Sequence, residues 1–161
     1  MRELEAIVAE HAAMVRRIAT VYERRPDLVD DLVQDVWLAV WQALPRLNAQ
    51  SMLKAYIARI TQNICVTHVR RAVVRKTEAL SDTVPDPAPS AEDTSGDNQQ
   101  LMRLVAAVRN LPDPLKGVAS LYLEDMAVKD IALALGISES NVSVRLHRAK
   151  ALIRQSFGDA A

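Results

Sequence analysis

The sequence predicts an all-α protein: two small helical domains joined by a flexible acidic linker, the C-terminal domain being a helix-turn-helix. Three observations carry that expectation. Half of the 161 residues are apolar and only 4% are aromatic, and no run alternates apolar and polar residues between turn signals as a strand would. Apolar residues recur instead at helical spacing, in segments broken by Pro or Gly. Charge is laid out in blocks: residues 1–76 carry twelve Lys and Arg against eight acids, residues 77–100 none against six, and residues 101–161 eight against six. The middle block, with Pro85, Pro87 and Pro89 and almost no apolar side chains, cannot bury enough surface to offset the entropy of ordering. The expected units are therefore residues 1–76, a linker over 77–100, and residues 101–161.

From Glu3 to Tyr22, Leu4, Ile7, Val8, His11, Val15, Ile18 and Ala19 fall mostly on one side of a helix. His11 has no partner at metal-ligand spacing and reads as a packed boundary residue. Pro26 interrupts the pattern, and Asp27 can cap the next helix. That helix, from Leu28 to Leu44, buries Leu28, Val29, Leu32, Val33, Val36, Val40 and Leu44. Its other side is acidic, with Asp30, Asp31, Gln34, Asp35 and Gln42, yet Leu38 sits in the middle of it and Trp41 at its edge. Apolar anchors inside a charged rim are how docking surfaces are built, whereas a solvated face has no use for them.

Pro45 ends the helix, and Ser51 is placed to cap another from Met52 to about Arg75. Leu53, Tyr56, Ile57, Ile60 and Ile64 form its packing stripe. Arg59, Gln62, Asn63, Val66, Val69, Arg70 and Val73 are expected to face away, and Arg70, Arg71, Arg75 and Lys76 make its end basic. Guanidinium groups that hold phosphates, amides that read base edges and small apolar groups together suit nucleic acid, and a plain solvated face fits the same pattern.

In the last block a helix from Leu101 to Asn110 stops at Leu111, Pro112, Asp113 and Pro114, and another runs from Leu115 to Tyr122. A short helix over Val128 to Leu135, a turn at Gly136 and a longer helix from Glu139, capped by Ser138, then form a helix-turn-helix. Gly136 supplies the positive φ, while Ile131, Ala132, Leu135 and Ile137 meet Val142, Leu146, Ala149 and Ile153. Ser140, Ser143, Val144, His147, Arg148 and Ala151 share the opposite side, with Arg154 below, and would enter a major groove. Arg148 is the candidate for a bidentate contact to guanine, with Arg145 and Lys150 as flanking phosphate contacts.

Other classes are excluded on the residues. No nucleophile constellation, phosphate-cradling Gly loop or metal-spaced His and Cys set occurs, so neither an enzyme nor a cofactor is expected. The lone Cys65 permits no intrachain disulfide and reads as a small helix residue. No apolar run suits a membrane span, and the charged N-terminus does not resemble a signal peptide, so a cytoplasmic protein without membrane insertion is expected. A stand-alone helix-turn-helix regulator would explain the last third of the chain, but not Leu38 and Trp41 in an acidic face.

Taken together, DLVQDVWLAVWQAL, the Leu53, Tyr56, Ile57, Ile60, Asn63 pattern with its basic end, the acidic linker, and LPDPLKGVASLYLEDMAVKDIALALGISESNVSVRLHRAKALI resemble a bacterial RNA polymerase sigma factor of the extracytoplasmic-function group of the sigma-70 family. The resemblance implies core RNA polymerase as partner, through its β′ clamp helices and β flap, together with promoter DNA and a cognate anti-sigma factor. It implies polymerase docking by Asp31, Gln34, Asp35, Leu38 and Trp41. Opening of the minus-ten element, with a flipped base, would fall to Asn48, Lys54, Arg59, Asn63 and Arg70. Duplex reading at the minus-thirty-five element would fall to Ser140, Ser143, Val144, His147, Arg148 and Lys150. Tyr56 stands where the family usually carries Trp, Thr67 where it carries Asp, and Ser143 and Val144 where it carries a more basic pair. The last difference implies a changed minus-thirty-five sequence.

Overall fold

A computed structural model describes residues 2–46, 52–78 and 96–158. Seven α-helices are found among them: α1 (Arg2–Tyr22), α2 (Pro26–Ala43), α3 (Leu53–Glu78), α4 (Gly96–Arg109), α5 (Asp113–Tyr122), α6 (Val128–Leu135) and α7 (Glu139–Gly158), with a 3₁₀ turn at Leu44–Arg46. No strand occurs among the described residues. Two helix boundaries move into the expected linker, since α3 continues through Thr77 and Glu78 and α4 begins at Gly96. The rest of the linker, with Asn48 and Ser51, lies outside the described residues.

Local chemistry sets most helix ends. Pro26 starts α2 rather than merely interrupting the chain, because Pro at the first helical position lacks only an N–H that would have no partner anyway. Asp27 is not the cap: Arg25 holds that position, and the Asp27 carboxylate accepts from Arg25 at 2.9 Å. Gly136 takes φ 68° after α6, as its place in the turn requires. Ser138 caps α7, its Oγ accepting from the Asn141 backbone N–H at 3.1 Å.

In the first half α1, α2 and α3 pack pairwise around Val15, Ile18, Val36, Val40 and Ile57, all buried. Ala19, Val29, Leu32 and Cys65 form a neighbouring cluster. Burial pushes the Cys65 thiol up to about 12, which leaves it a packing residue rather than a reactive thiolate. His11 is buried as expected, and desolvation lowers its pKa while neighbouring Glu10 pulls the other way. At the far end, His68 Nε2 donates to Glu23 at 2.8 Å and ties α3 to the end of α1.

The second half wraps α5 with α6 and α7, and its core divides differently from the expected one. Ile131, Ala132, Val142 and Leu146 share a cluster with Leu135 and Ile137, while Ala149 and Ile153 pack with Val108 of α4, Leu111 of the turn after it, and Leu115 and Ala119 of α5. The two halves also meet each other. Met14, Val15, Ile18, Ala55, Ile57 and Ala58 belong to one continuous cluster with Val118, Leu121, Met126 and Ile131. Helix α3 lies against α6, and α1 against α4 and α5. Gly117 makes the approach close: a Cβ there would lie 3.5 Å from both Gln62 and Leu135.

Candidate functional site

Three surfaces hold the candidate residues, and the fold treats them differently. On α2 the inward stripe of Val29, Leu32, Val36 and Val40 is buried, which turns Asp31, Gln34, Asp35, Leu38 and Trp41 outward together. Leu38 remains 54% and Trp41 56% exposed, with acidic neighbours. Asp30, on the same side by sequence, is taken up by Arg16 of α1 at 2.7 Å. The free acidic groups of this face are therefore Asp31 and Asp35.

On α3, Lys54, Arg59, Asn63 and Arg70 are exposed, and Asn48 of the preceding loop is outside the described residues. The Lys54 ammonium nevertheless donates to the backbone carbonyl of Glu124 at 2.7 Å. Gln62 corrects the sequence reading. Expected to face away with Asn63, it is only 3% exposed, accepts from the Tyr22 hydroxyl at 2.5 Å and donates to Ser120 Oγ at 2.9 Å. The reason is tertiary: α5 and α6 occupy that side of α3, and a buried amide must find partners. Burial also pushes the Tyr22 phenol up, so its hydroxyl stays a donor. Val66 and Val69 are half-buried, whereas Val73 is exposed as expected.

Helix α7 presents Ser140, Ser143, Val144, His147 and Arg148 as one exposed row, with Val144 50% open. The core residues Val142, Leu146 and Ala149 face inward, which leaves the row exposed among the described residues. Its two flanking cations are engaged. Lys150 lies over the Tyr122 ring, 4.4 Å from its centre. Arg145 donates to Asn141 at 3.0 Å and to the Pro114 carbonyl at 3.4 Å. Behind the row, on the side of Leu146, Ala149 and Ile153, an apolar groove of about 220 Å³ is walled by Leu104, Tyr122 and Leu123.

Sequence reasoning did not find the groups that join the halves. Glu124, 8% exposed, accepts from Arg17 Nε at 2.8 Å and from an Arg17 terminal nitrogen at 2.6 Å. Hydrogen bonding to Glu124 raises the Arg17 pKa. Arg109 donates to the Thr20 carbonyl at 2.5 and 3.2 Å. None of these has a local sequence signal, because each partner is remote in the chain. Among the described residues no group of His, Cys, Asp and Glu could hold a metal ion, and no helix is long and apolar enough to cross a membrane.

Comparison with known proteins places both halves. Residues 7–74 match the family model for sigma-70 region 2, and residues 101–153 match that for sigma-70 region 4. The chain is 25% identical over 156 residues to the ECF RNA polymerase sigma factor SigM of Mycobacterium tuberculosis, covering 96% of this chain and 76% of that protein. It is 27% identical over 158 residues to SigE of Mycolicibacterium smegmatis, covering 96% of this chain and 61% of that one. Among solved structures, the sigma factor RpoE of Bartonella quintana, crystallised with the anti-sigma factor NepR, superposes with a TM-score of 0.81 at 17% identity, covering 98% of each chain. CnrH in complex with the cytosolic domain of CnrY gives 0.75 at 22% identity, covering 99% of this chain and 90% of that one. At these identities the structural match is one of fold.

Proposed function

The chain belongs to the sigma-70 family of RNA polymerase sigma factors, in its extracytoplasmic-function group, and on that premise we propose how its surfaces divide the work of initiation. It is a sigma factor: it binds core RNA polymerase and directs initiation to promoters, with no support for the stand-alone regulator. The division of labour rests on one observation, that the α2 face leaves its two large apolar groups, Leu38 and Trp41, more than half exposed among the described residues. Such anchors inside a carboxylate rim fit a basic-rimmed helical surface, and we assign Asp31, Gln34, Asp35, Leu38 and Trp41 to the β′ clamp helices.

Arg59, Asn63 and Arg70, with Lys54 once it is released and Asn48 from the loop before α3, form the minus-ten surface. Guanidinium groups hold the phosphates while the amides meet an extruded base, whose unstacking costs a few kcal/mol. Ser140, Ser143, Val144, His147 and Arg148 read the minus-thirty-five duplex. Only Arg148 offers a planar fork there, so guanine recognition falls to it. Lys150, drawn over Tyr122, contributes charge at the edge of that surface rather than a base contact. The apolar groove behind α7 takes the β flap; lying opposite the duplex-reading row, it leaves both free to be engaged together.

Sigma factors are initiation factors without catalytic chemistry of their own, and this chain is no enzyme in this reading. Its place is the cytoplasm, where its polymerase partner works. The two solved relatives were captured with the anti-sigma factor NepR and the cytosolic domain of CnrY, which supports a cognate anti-sigma factor here as well. Run-off transcription with core polymerase and a pool of genomic promoter fragments tests the function. Discrete start sites that need the added protein are expected; their absence with every inhibitor removed would overturn it.

A further inference from the structure

We infer that Val144 is the thymine reader of α7. In a duplex its side chain packs on the C5-methyl group of a thymine within two base pairs of the guanine that Arg148 holds, and these two residues carry most of the sequence discrimination of that helix. The inference deepens the assignment of the α7 row to the minus-thirty-five duplex and rests on it. Val144 is singled out first by its place. The residues two before and two after it, Val142 and Leu146, are 0% and 8% exposed, and at about 100° per residue both lie on the far side of the helix. Val144 therefore points directly away from the core, in the middle of a row formed with Ser140, Ser143, His147 and Arg148, all exposed. A β-branched side chain in water is a poorer helix former than Ala, so a half-exposed Val gives the fold little. It also lies one turn nearer the helix N-terminus than Arg148, and the N-terminal residues of a recognition helix are those that reach base edges.

The chemistry of the row then leaves two members with a one-way demand. The hydroxyls of Ser140 and Ser143 can each donate or accept, and an imidazole such as that of His147 offers both roles, so these three suit any base edge. Arg148 only donates, which selects the paired acceptors of guanine. Val144 does neither. Pressed onto the floor of the major groove, it strips water from a ring nitrogen, a carbonyl or an amino group without replacing the lost hydrogen bond, and such unpaired groups are costly. The apolar group that base pairs display in that groove is the C5-methyl of thymine, and against it Val144 loses nothing and buries apolar surface. Helix geometry sets the spacing of the two contacts. Four residues of helix advance about 6 Å, and successive base pairs lie about 3.4 Å apart. The thymine is therefore no more than about two base pairs from the guanine.

The test uses holoenzyme, core polymerase with the full chain, on a promoter recovered by run-off transcription. Each thymine of the minus-thirty-five block, on either strand, is replaced singly by deoxyuridine, which removes the C5-methyl group and leaves every hydrogen-bonding edge in place. One such replacement, close to a guanine whose substitution also weakens binding, should lower affinity about three- to tenfold. Val144→Ala should bind the thymine and deoxyuridine duplexes alike, and its melting temperature should not fall, because the position is exposed and Ala favours helix. Val144→Thr keeps a methyl at the branch and should retain part of the difference. Arg148→Ala should lose the preference for guanine but keep the methyl effect. A parent indifferent to every thymine methyl, or the same methyl effect in Val144→Ala, would overturn the inference. Start sites without a methyl effect sink the thymine reading alone, and no start sites sink the sigma-factor reading. In that second case the same substitutions are made in duplexes that the full chain selects by itself from a randomised pool, and a chain that selects none overturns both.

Discussion

Helices α2 and α3 lie side by side, and each carries a polar face that the sequence assigns to a partner, yet they end in opposite circumstances. The α2 face leaves Leu38 and Trp41 more than half exposed among the described residues. The corresponding face of α3 is partly occupied by the chain itself, through Gln62 on Ser120 and Lys54 on Glu124. The contrast separates two uses of a surface. Apolar exposure on an open face gives the folded chain nothing, which is the ground for proposing that another molecule covers it. A face whose amide is buried and fully bonded works within the chain, and losing it costs the fold.

The sharpest way to break this contrast is at the open face. Asp35→Arg combined with Leu38→Ala should weaken core polymerase binding at least about 100-fold, since central apolar anchors carry most of an interface's energy. Both residues are exposed, so the melting temperature should stay within about 2 °C of the parent. A pull-down with undiminished binding would refute the assignment. Arg148→Ala on the other open face should weaken binding to duplex minus-thirty-five DNA by about 10- to 100-fold, and opening of a pre-melted template not at all. Equal loss on both templates would show that Arg148 has no separate duplex role.

At the occupied face the expected signature is reversed. Gln62→Ala removes the acceptor of the Tyr22 hydroxyl and the donor to Ser120 Oγ in a buried site, which should cost about 1–3 kcal/mol and lower the melting temperature by several degrees. A Gln62 variant that lost only DNA binding would return that residue to the set of nucleic-acid contacts. The smallest effect concerns pH. Burial raises the Glu23 pKa, but bonds from the Arg25 backbone and His68 outweigh it and hold the carboxyl below its ordinary value. A lowered folded-state pKa stabilises above the ordinary carboxylate pKa, and that contribution fades as pH falls through the folded value. Thermal melts should therefore show Glu23→Gln less stable than the parent near neutrality, the two converging in acid; a constant gap would contradict this.

What could be read from the chain beforehand was what depends on neighbours a few residues away. The exposed face of α2 was legible because a 100° step sorts Leu32, Val36 and Val40 from Asp31, Asp35 and Leu38 without knowledge of the fold. The helix-turn-helix was legible because Gly136 and Ser138 perform local backbone chemistry. The same local rules failed at Gln62, since facing away from one packing stripe does not mean facing solvent when a second body lies there.

By itself, the sequence determined seven helices' worth of periodicity, the turn and cap residues between them, the family, and the two faces that stay open. Only the tertiary structure decided that the halves close on one another, and through which groups. Gln62 finds Ser120 across 58 residues, Lys54 finds the Glu124 carbonyl across 70, and Arg17 finds Glu124 across 107. The physical reason is one of range: helix periodicity and capping act over one or two turns, whereas a buried carboxylate or amide takes whichever partner the packed bodies bring to it.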